Sequence, residues 1–241
     1  MSSLFNSDLH LDAARPAITA LFLEFLAGEA RAAETLYILG DLFEAWIGDD
    51  DPDPHHAEVA AALASLTAAG VPVRFLVGNR DFLLGENYAA RAGMEILCEP
   101  VTLNLHGRPT VVLHGDVLCT DDRDYQEFRA TVRNPGWQRA FLARPVAERR
   151  AAATAARAES RRRLAGKAPE IMDVNEAAVA AMFREQAVTR MIHGHTHRPA
   201  MHRLEVDGRS CERIVLGDWY EQGSVLHVDD AGIELKSLAL S

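Results

Sequence analysis

Short apolar segments alternate with longer amphipathic ones along the first half of the chain. The short segments are rich in β-branched and large apolar residues, which is typical of buried strands. They lie at 4–6, 36–39, 73–77 and 110–113. Apolar residues between them recur every three or four positions, which predicts helices over 14–27 and 55–69. This alternation predicts an α/β fold built in layers.

The second half of the chain opens with a different pattern. Residues 121–167 contain many alanines and no strand-like run, so an inserted helical subdomain is predicted there. One more helix is predicted over 173–186. Short strands are predicted after it, at 191–192, 214–216, 225–228 and 233–235.

Composition and charge narrow the class of protein. The 241 residues are 48% hydrophobic and carry 25 Lys and Arg against 35 Asp and Glu, a formal charge of −10. This is an ordinary globular composition, and its net negative charge argues against generic nucleic-acid binding. Residues 121–167 alone are +6. Two interpretations of that contrast stay open: a solvated helix face, or a surface for an anionic ligand or lipid headgroup.

The cysteines and the N-terminal segment indicate the cellular compartment in which the protein is expected. Three widely spaced cysteines suggest neither a disulfide framework nor a thiolate zinc site, and they fit a reducing cytoplasm. The N-terminus has no signal-peptide pattern, and no run of 18 apolar residues occurs. We therefore expect a protein that is neither exported nor membrane-spanning.

Carboxylates and imidazoles cluster directly after predicted strands. The clusters lie at 7–10, 40–41, 78–81, 114–116 and 194–197. Strand ends of α/β sheets face a shared crevice, and residues two apart on an extended chain, such as Asp8 and His10, point the same way. Each cluster alone is more often a turn or a helix cap. Together they predict a metal site, and Asp, Asn and His without thiolates suit Mn²⁺, Fe²⁺ or Zn²⁺.

The order D-x-H, G-D, G-N-x-D, H-G-D, G-H-T-H resembles the signature of the calcineurin-like metallophosphoesterases, from residue 4 to about residue 228. Within that superfamily the chain more closely resembles the UDP-2,3-diacylglucosamine hydrolases, the pyrophosphatases of lipid A synthesis. The segments that carry this similarity are SDLHLD (7–12), GDLFEAWIGDD (40–50), GNRDFL (78–83), LHGDVLCTDDRDYQ (113–126), IMDVN (171–175) and IHGHTHRP (192–199).

The resemblance implies a fold and a metal centre. The fold is a two-sheet αββα sandwich whose core spans 1–120 and 171–241, with a helical lid for the lipid substrate at 121–170. The metal centre holds two divalent cations, inferred to be Mn²⁺. The first cation takes Asp8, His10 and His197; the second takes Asn79, His114 and His195; and Asp41 bridges both. The catalytic residues implied are Asp41, Asn79, Arg80 and His195.

The implied reaction is attack of a metal-bound hydroxide on the α-phosphorus of UDP-2,3-diacylglucosamine, giving UMP and 2,3-diacylglucosamine 1-phosphate. Arg80 stands where general phosphoesterases of this type carry a histidine. Arginine cannot donate its proton at neutral pH, so it suits a phosphate leaving group that departs as a stable anion. Its fork can also bind phosphate oxygens. The alternative for Arg80 is a structural ion pair with an acid such as Asp81.

The resemblance also implies substrate contacts from six residues: Asn79, Arg80, Asp122, Ser160, Lys167 and His195. Leu164 departs from the family pattern, which commonly has a polar side chain there, and is left out of the site. The apolar side of the lid is expected to receive the acyl chains, and its basic residues to face headgroups. A peripheral position on the cytoplasmic face of the inner membrane follows from the lipid substrate. No nucleic-acid or protein partner is implied.

Two other functions remain open at this point. One is a metallophosphoesterase that acts on another nucleotide or phosphoanhydride. The other is a non-catalytic scaffold, which the loss of metal-ligand residues from the motifs would indicate. His193 is interpreted as a core histidine and Asp116 as a residue that orients a loop or a ligand histidine. The acids after Asp41 are interpreted mostly as a solvated turn: Asp49, Asp50, Asp51 and Asp53.

Overall fold

Two β-sheets form the centre of the protein. The structure is a computed structural model that describes residues 2–164 and 169–240. The strands in these ranges are β1 (Ser3–Asn6), β2 (Thr35–Ile38), β3 (Val73–Phe75), β4 (Met94–Ile96), β5 (Val101–Leu105), β6 (Arg108–Leu113), β7 (Arg190–His193), β8 (Ala200–Val206), β9 (Arg209–Val215), β10 (Gly223–Asp229) and β11 (Gly232–Leu238).

Both sheets are mixed. The six-stranded sheet has the order β11-β10-β1-β2-β3-β4, with β1 to β4 parallel and β10 and β11 antiparallel at one side. The five-stranded sheet has the order β5-β6-β7-β9-β8, in which β6, β7 and β9 are parallel. Parallel strands end on a common edge, so several strand-to-helix loops meet there.

Helices cover the outer faces of the two sheets. The helices are α1 (Pro16–Ala27), α2 (Pro54–Ala68), α3 (Glu86–Ala92), α4 (Arg123–Val132), α5 (Pro135–Leu142), α6 (Val146–Leu164) and α7 (Glu176–Glu185). On β1, Phe5 packs between the sheets whereas Leu4 packs under α1 and α2, because successive side chains alternate. Val179 and Phe183 of α7 cover the other sheet. The predicted two-sheet sandwich with flanking helices is confirmed.

Most predicted elements are present, with small shifts at their ends. The helix predicted over 14–27 is α1, with Pro16 as its first residue, and the one predicted over 173–186 is α7. The sequence did not predict α3, β4, β5 or β8. β4 has three residues and α3 has seven, while β5 and β8 are edge strands with exposed positions that weaken the apolar pattern.

The insert contains three consecutive helices, α4 to α6. Asp122 caps α4 by accepting from the Tyr125 N–H, and Asn134 caps α5 ahead of Pro135. The division of the chain into a core and a substrate lid stays a prediction. Of the helices in the described ranges, none has the length and apolar composition that crossing a bilayer requires.

Candidate metal centre

The five predicted clusters meet at the ends of β1, β2, β3, β6 and β7. Backbone hydrogen bonds join their loops directly. The N–H of Asp8 donates to the Gly40 carbonyl (3.1 Å), and that of His10 donates to the Asp41 carbonyl (2.9 Å). The N–H of Gly194 donates to the His114 carbonyl (2.8 Å), which ties the two loops of the second sheet together. The crevice is therefore framed by main-chain contacts as well as by side chains.

Most of the predicted ligands have an uncommon backbone conformation. A positive φ is rare for non-glycine residues and concentrates at functional sites. Five of the seven predicted ligands have one: Asp8 (54°), His10 (49°), Asp41 (55°), His195 (69°) and His197 (55°). Gly40 also has a positive φ, and a Cβ there would lie 2.6 Å from the Gly78 backbone. The first-sheet loops thus approach each other as closely as glycine allows.

Asp81 organises the two loops that carry Asp41 and Asn79. Its buried carboxylate accepts hydrogen bonds from the N–H groups of Gly78 (2.7 Å), Leu42 (2.7 Å) and Asp41 (3.3 Å). Burial and the nearby Asp41 raise the pKa of Asp81 to about 6. The alternative ion pair between Arg80 and Asp81 does not occur among the described contacts, because this carboxylate is directed at backbone amides.

The first group of predicted ligands converges on one point. Ligand atoms of Asp8, His10 and His197 all lie within 4.8 Å of one another. The Nε2 atoms of His10 and His197 are 3.3 Å apart, and His197 Nε2 is 3.2 Å from Asp8 Oδ1. That oxygen is buried without a hydrogen-bond partner among the described residues. Two ring nitrogens facing an orphaned carboxylate oxygen are a suitable donor set for a divalent cation.

The second group converges beside the first. Asn79 Oδ1 lies 2.9 Å from His114 Nε2 and 2.8 Å from His195 Nδ1. Asp41 stands between the groups: its Oδ2 is 3.7 Å from His10 Nε2 and its Oδ1 is 3.8 Å from His114 Nε2. Asp41 also joins Asp8 and His114 in a second cluster of possible ligand atoms. This geometry fits a bridging carboxylate, and Asp8 borders both groups.

Outer partners set the orientation of three of the histidines. His114 Nδ1 lies 2.8 Å from the Leu39 carbonyl, which makes Nδ1 a donor and directs Nε2 at the crevice. His197 Nδ1 lies 3.3 Å from Asp218, and His10 Nδ1 lies 3.1 Å from Glu44. Sequence analysis missed Glu44 and Asp218. The only sequence signal for Glu44 was its place in the segment at 40–50.

The electrostatics of the crevice favour positive charge. Burial lowers the pKa of His114, but Asp41 and Asp8 outweigh it and raise that pKa to about 9. Burial also lowers the pKa of His197, but hydrogen bonds with Asp218 and Asp8 outweigh burial and raise that pKa to about 10. Burial raises the pKa of Asp8, yet the three imidazoles around it hold that pKa well below its usual range. The carboxylates thus create a strongly negative pocket that suits a cation.

Comparison with known proteins agrees with this geometry. Residues 1–199 match the family model described as "Calcineurin-like phosphoesterase". The chain belongs to this family. Membership implies use of divalent metal, and the oxygen and imidazole donors described above fit such ions.

This calcineurin-like phosphoesterase is similar over its whole length to proteins named UDP-2,3-diacylglucosamine hydrolase. It is 55% identical to one from Xanthomonas axonopodis pv. citri (strain 306) over 247 residues, 100% of each chain. It is also 55% identical to one from Stenotrophomonas maltophilia (strain K279a), covering 99% of each chain. The resemblance found in the sequence is confirmed. A solved archaeal phosphodiesterase, 12% identical, aligns with 99% of this chain and 100% of its own at a TM-score of 0.49.

The predicted substrate residues are only partly brought together. Arg80 and His195 border the metal-facing groups, and burial lowers the pKa of His195 to about 4, which keeps its ring neutral. The ring of Tyr125, at the start of α4, lies 5.7 Å from that of His195. Asp122 is buried as the cap of α4.

The other two predicted substrate residues lie in or beyond α6. Ser160 is half-buried on α6, and no described contact joins it to the crevice. Lys167 lies outside the described residues.

The predicted solvated acidic turn is wrong for Asp49 and Asp51. Asp50 pairs with Arg149 of α6 (2.5 Å), and Asp51, which is 8% exposed, pairs with Arg150 (2.6 Å). Asp49 accepts hydrogen bonds from the backbone of α3. These acids bind a cation or free amides of a neighbouring element, although the Asp50 side chain stays 64% exposed.

The expectation that the basic residues of the insert face headgroups is therefore wrong for several of them. Arg149, Arg150 and Arg157 face carboxylates of the core. Arg129 pairs with the buried Asp116 (2.8 Å), which also accepts from the Tyr125 hydroxyl (2.6 Å). Asp116 thus anchors α4 to the core.

His193 lies behind the crevice. Its Nδ1 is 2.8 Å from the Gly194 carbonyl and its Nε2 is 3.1 Å from Arg213. Burial lowers the pKa of His193 to about 3. Its contacts are those of a core histidine that supports the loop carrying His195 and His197.

Proposed function

We propose that this phosphoesterase hydrolyses the pyrophosphate bond of UDP-2,3-diacylglucosamine in lipid A synthesis. The observation that carries the proposal is the convergence of all seven predicted ligands in a chain that is 54–55% identical, over its full length, to hydrolases named for this substrate. Oxygen from water bonds to the α-phosphorus, and the bond from that phosphorus to the bridging oxygen breaks. The products are UMP and 2,3-diacylglucosamine 1-phosphate.

Two cations, which we propose to be Mn²⁺, complete the site. Asp8, His10 and His197 would hold the first, and Asn79, His114 and His195 would hold the second. Asp41 faces both groups, and its two oxygens are directed at one histidine of each. When bound, the cations supply positive charge for the phosphate oxygens and a source of hydroxide at neutral pH.

Arg80 binds the phosphate that is cleaved. Its backbone N–H donates to Asp41 Oδ1 (2.8 Å), which fixes the residue at the crevice. Its Nε is buried without a partner among the described residues. A guanidinium stays protonated at neutral pH, so Arg80 stabilises negative charge on phosphate oxygens without transferring a proton. The leaving group is a phosphate monoester whose second pKa is about 6, so it departs without general acid help.

The helices of the insert provide an apolar surface for the acyl chains. Phe128 of α4 and Leu142 of α5 are 48% and 38% exposed. The rings of Trp137 and Phe141 stack at 4.9 Å, and Phe82, three residues after Asn79, lies 6.2 Å from Trp137. This aromatic group connects the insert to the loop that carries Arg80. We therefore assign residues 121–170 as the substrate lid, with Asp122, Ser160 and Lys167 contacting the head of the substrate.

The substrate is a lipid, so we further propose a peripheral position on the cytoplasmic face of the inner membrane. The exposed arginines of the insert that do not dock it on the core suit anionic headgroups. They include Arg123, Arg139, Arg144 and Arg161. Flotation with anionic and neutral vesicles tests this part, and the absence of binding to either would remove it.

UMP release tests the function. With metal-stripped enzyme, before and after addition of Mn²⁺, UMP release is measured from UDP-2,3-diacylglucosamine and UDP-glucose, and p-nitrophenol release is measured from p-nitrophenyl phosphate. We expect metal-dependent turnover of the acylated substrate alone. Turnover of the soluble compounds alone would contradict the lipid substrate but keep the metal centre, and no turnover of any would favour a binding scaffold.

A further inference from the structure

Glu44 contacts both the metal-facing crevice and the insert. It lies three residues after Asp41 and its side chain is 15% exposed. One carboxylate oxygen, Oε2, is 3.1 Å from His10 Nδ1. The other, Oε1, accepts a hydrogen bond from Arg157 of α6 at 2.5 Å. A single carboxylate therefore joins a predicted metal ligand to the longest helix of the insert.

The contact with His10 determines which ring nitrogen faces the crevice. A carboxylate beside Nδ1 favours a proton on that nitrogen and leaves the lone pair on Nε2. His10 Nε2 is the atom that lies 3.3 Å from His197 Nε2 and 3.7 Å from Asp41. Glu44 Oε2 and His10 Nδ1 are both buried and form no hydrogen bond among the described residues, so the contact is an electrostatic one that favours the tautomer a metal ligand requires.

The ring of His10 is confined on its other sides as well. Tyr220 stacks on it at a centroid distance of 5.1 Å, and the guanidinium of Arg15 lies over the Tyr220 ring at 4.6 Å. Arg15 also donates to the His10 carbonyl and lies 3.9 Å from Glu44. Movement of the Glu44 carboxylate is therefore the change most directly transmitted to the ring.

Glu44 differs from the outer partners of the other two oriented histidines. His114 is held by the carbonyl of Leu39, directly after β2, and His197 by Asp218, in the loop before β10. Both partners belong to the core. Glu44 is instead shared with the insert through Arg157.

We propose that Glu44 is a positioning residue that couples the docking of α6 to cation binding by Asp8, His10 and His197. The coupling runs from Arg157 through Glu44 to His10. When α6 is docked, Arg157 fixes the carboxylate and the carboxylate fixes the imidazole. The inference rests on the proposed function only in requiring a divalent cation at this group, and it is independent of the substrate.

Binding of Mn²⁺ to the metal-stripped, full-length chain tests this coupling, with free Mn²⁺ measured by electron paramagnetic resonance. We expect E44A to weaken Mn²⁺ binding at the group formed by Asp8, His10 and His197 by about tenfold or more. This is the usual effect of removing an outer partner of a ligand histidine. E44Q keeps an acceptor oxygen and should lose less. R157A should weaken binding a few-fold, and no further when combined with E44A, because both act through one contact.

The matched control is R150A. Arg150 lies on the same helix and pairs with Asp51 of the same loop, but that pair touches no predicted ligand. R150A should leave Mn²⁺ affinity within twofold of the unmodified chain. Equal effects of R150A and R157A would contradict the coupling and assign the effect to docking in general.

Three further results would overturn the inference. The first is an E44A affinity within twofold of the unmodified chain, and the second is a full R157A effect in the E44A background. If circular dichroism shows that E44A does not fold, E44Q replaces it in the test. An unchanged Mn²⁺ affinity of E44Q is then the third result that would overturn the inference. Because Mn²⁺ binding is measured without substrate, failure of UMP release leaves this test intact.

Discussion

The crevice and the insert are held in place by different interactions. In the crevice, a buried carboxylate, Asp81, binds three backbone amides, and the loops hydrogen-bond to one another. The insert is docked by ion pairs across its contact with the core. These pairs are Arg129–Asp116, Arg149–Asp50, Arg150–Asp51 and Arg157–Glu44. Much of the charge contrast between insert and core is therefore used in docking.

This difference has a physical consequence. Hydrogen bonds buried in the crevice respond little to salt, whereas partly exposed ion pairs are screened by it. The hydrogen-bonded loops of the crevice are expected to stay fixed while the position of the insert responds to ionic conditions.

The largest effect is expected from D41A. Asp41 is the carboxylate that faces both groups of ligands, so its removal should lower kcat/KM for UMP release by more than about 100-fold, beyond what changes to outer partners cost. E58A, which removes an exposed carboxylate of α2, is the control and should be unaffected. Activity of D41A within tenfold of the unmodified enzyme would contradict the assignment of Asp41.

D81A should affect stability as well as activity. Removal of the Asp81 carboxylate leaves three buried amides without their acceptor, so the free energy of unfolding should fall by about 3 kcal/mol or more. D81N keeps one oxygen and should lose less. Urea denaturation measures both variants, and an unchanged midpoint for D81A would show that the amides find other partners.

R149A tests the insert. Arg149 is 1% exposed and donates to the Asp50 carboxylate and to the carbonyls of Ile47 and Arg144. Its loss should weaken docking of α6 by about 2 kcal/mol, seen as faster amide hydrogen exchange along that helix. The exposed Arg139 offers the matched control, R139A. Raising the salt concentration should speed exchange in α6 and leave β1 unchanged; equal responses would remove the distinction between the two regions.

The smallest effect is expected in the rates at which a thiol reagent labels Cys98 and Cys119. Cys98 is exposed, whereas burial and the nearby Asp116 raise the pKa of Cys119 to about 12. At pH 8 the Cys119 thiolate is therefore scarce, and a thiol reagent should modify Cys98 quickly and Cys119 only after unfolding. C98S is the control. Rapid labelling of Cys119 in C98S would show that the contact between the insert and the core opens often.

The predicted ligands could be found from the sequence because each cluster is local. Asp8 and His10, or His195 and His197, lie two residues apart after a strand, and glycine marks the turns beside them. The strands of the core could also be predicted, because each is marked by a short, continuous apolar run that is local in the sequence. Short or half-exposed elements such as β4 and β5 lack that signal.

The outer contacts could not be predicted in this way. Arg157 pairs with Glu44 across 113 residues, and the sequence alone offered no reason to join them. Asp50 and Asp51 were interpreted as solvated because their partners, Arg149 and Arg150, lie on α6, about a hundred residues away. Charge contrast between the segments left a solvated helix face and an anionic partner both open, and several arginines of the insert pair with carboxylates of the core itself.

Stoichiometric Mn²⁺ titration of metal-stripped enzyme, followed by UMP release from UDP-2,3-diacylglucosamine, tests the central claim most directly. The claim is that seven side chains on two sheets hold two cations that support pyrophosphate hydrolysis. It predicts no turnover without metal and a plateau at two equivalents of Mn²⁺ per chain. Full turnover in the presence of excess chelator, or a plateau at one equivalent, would contradict it.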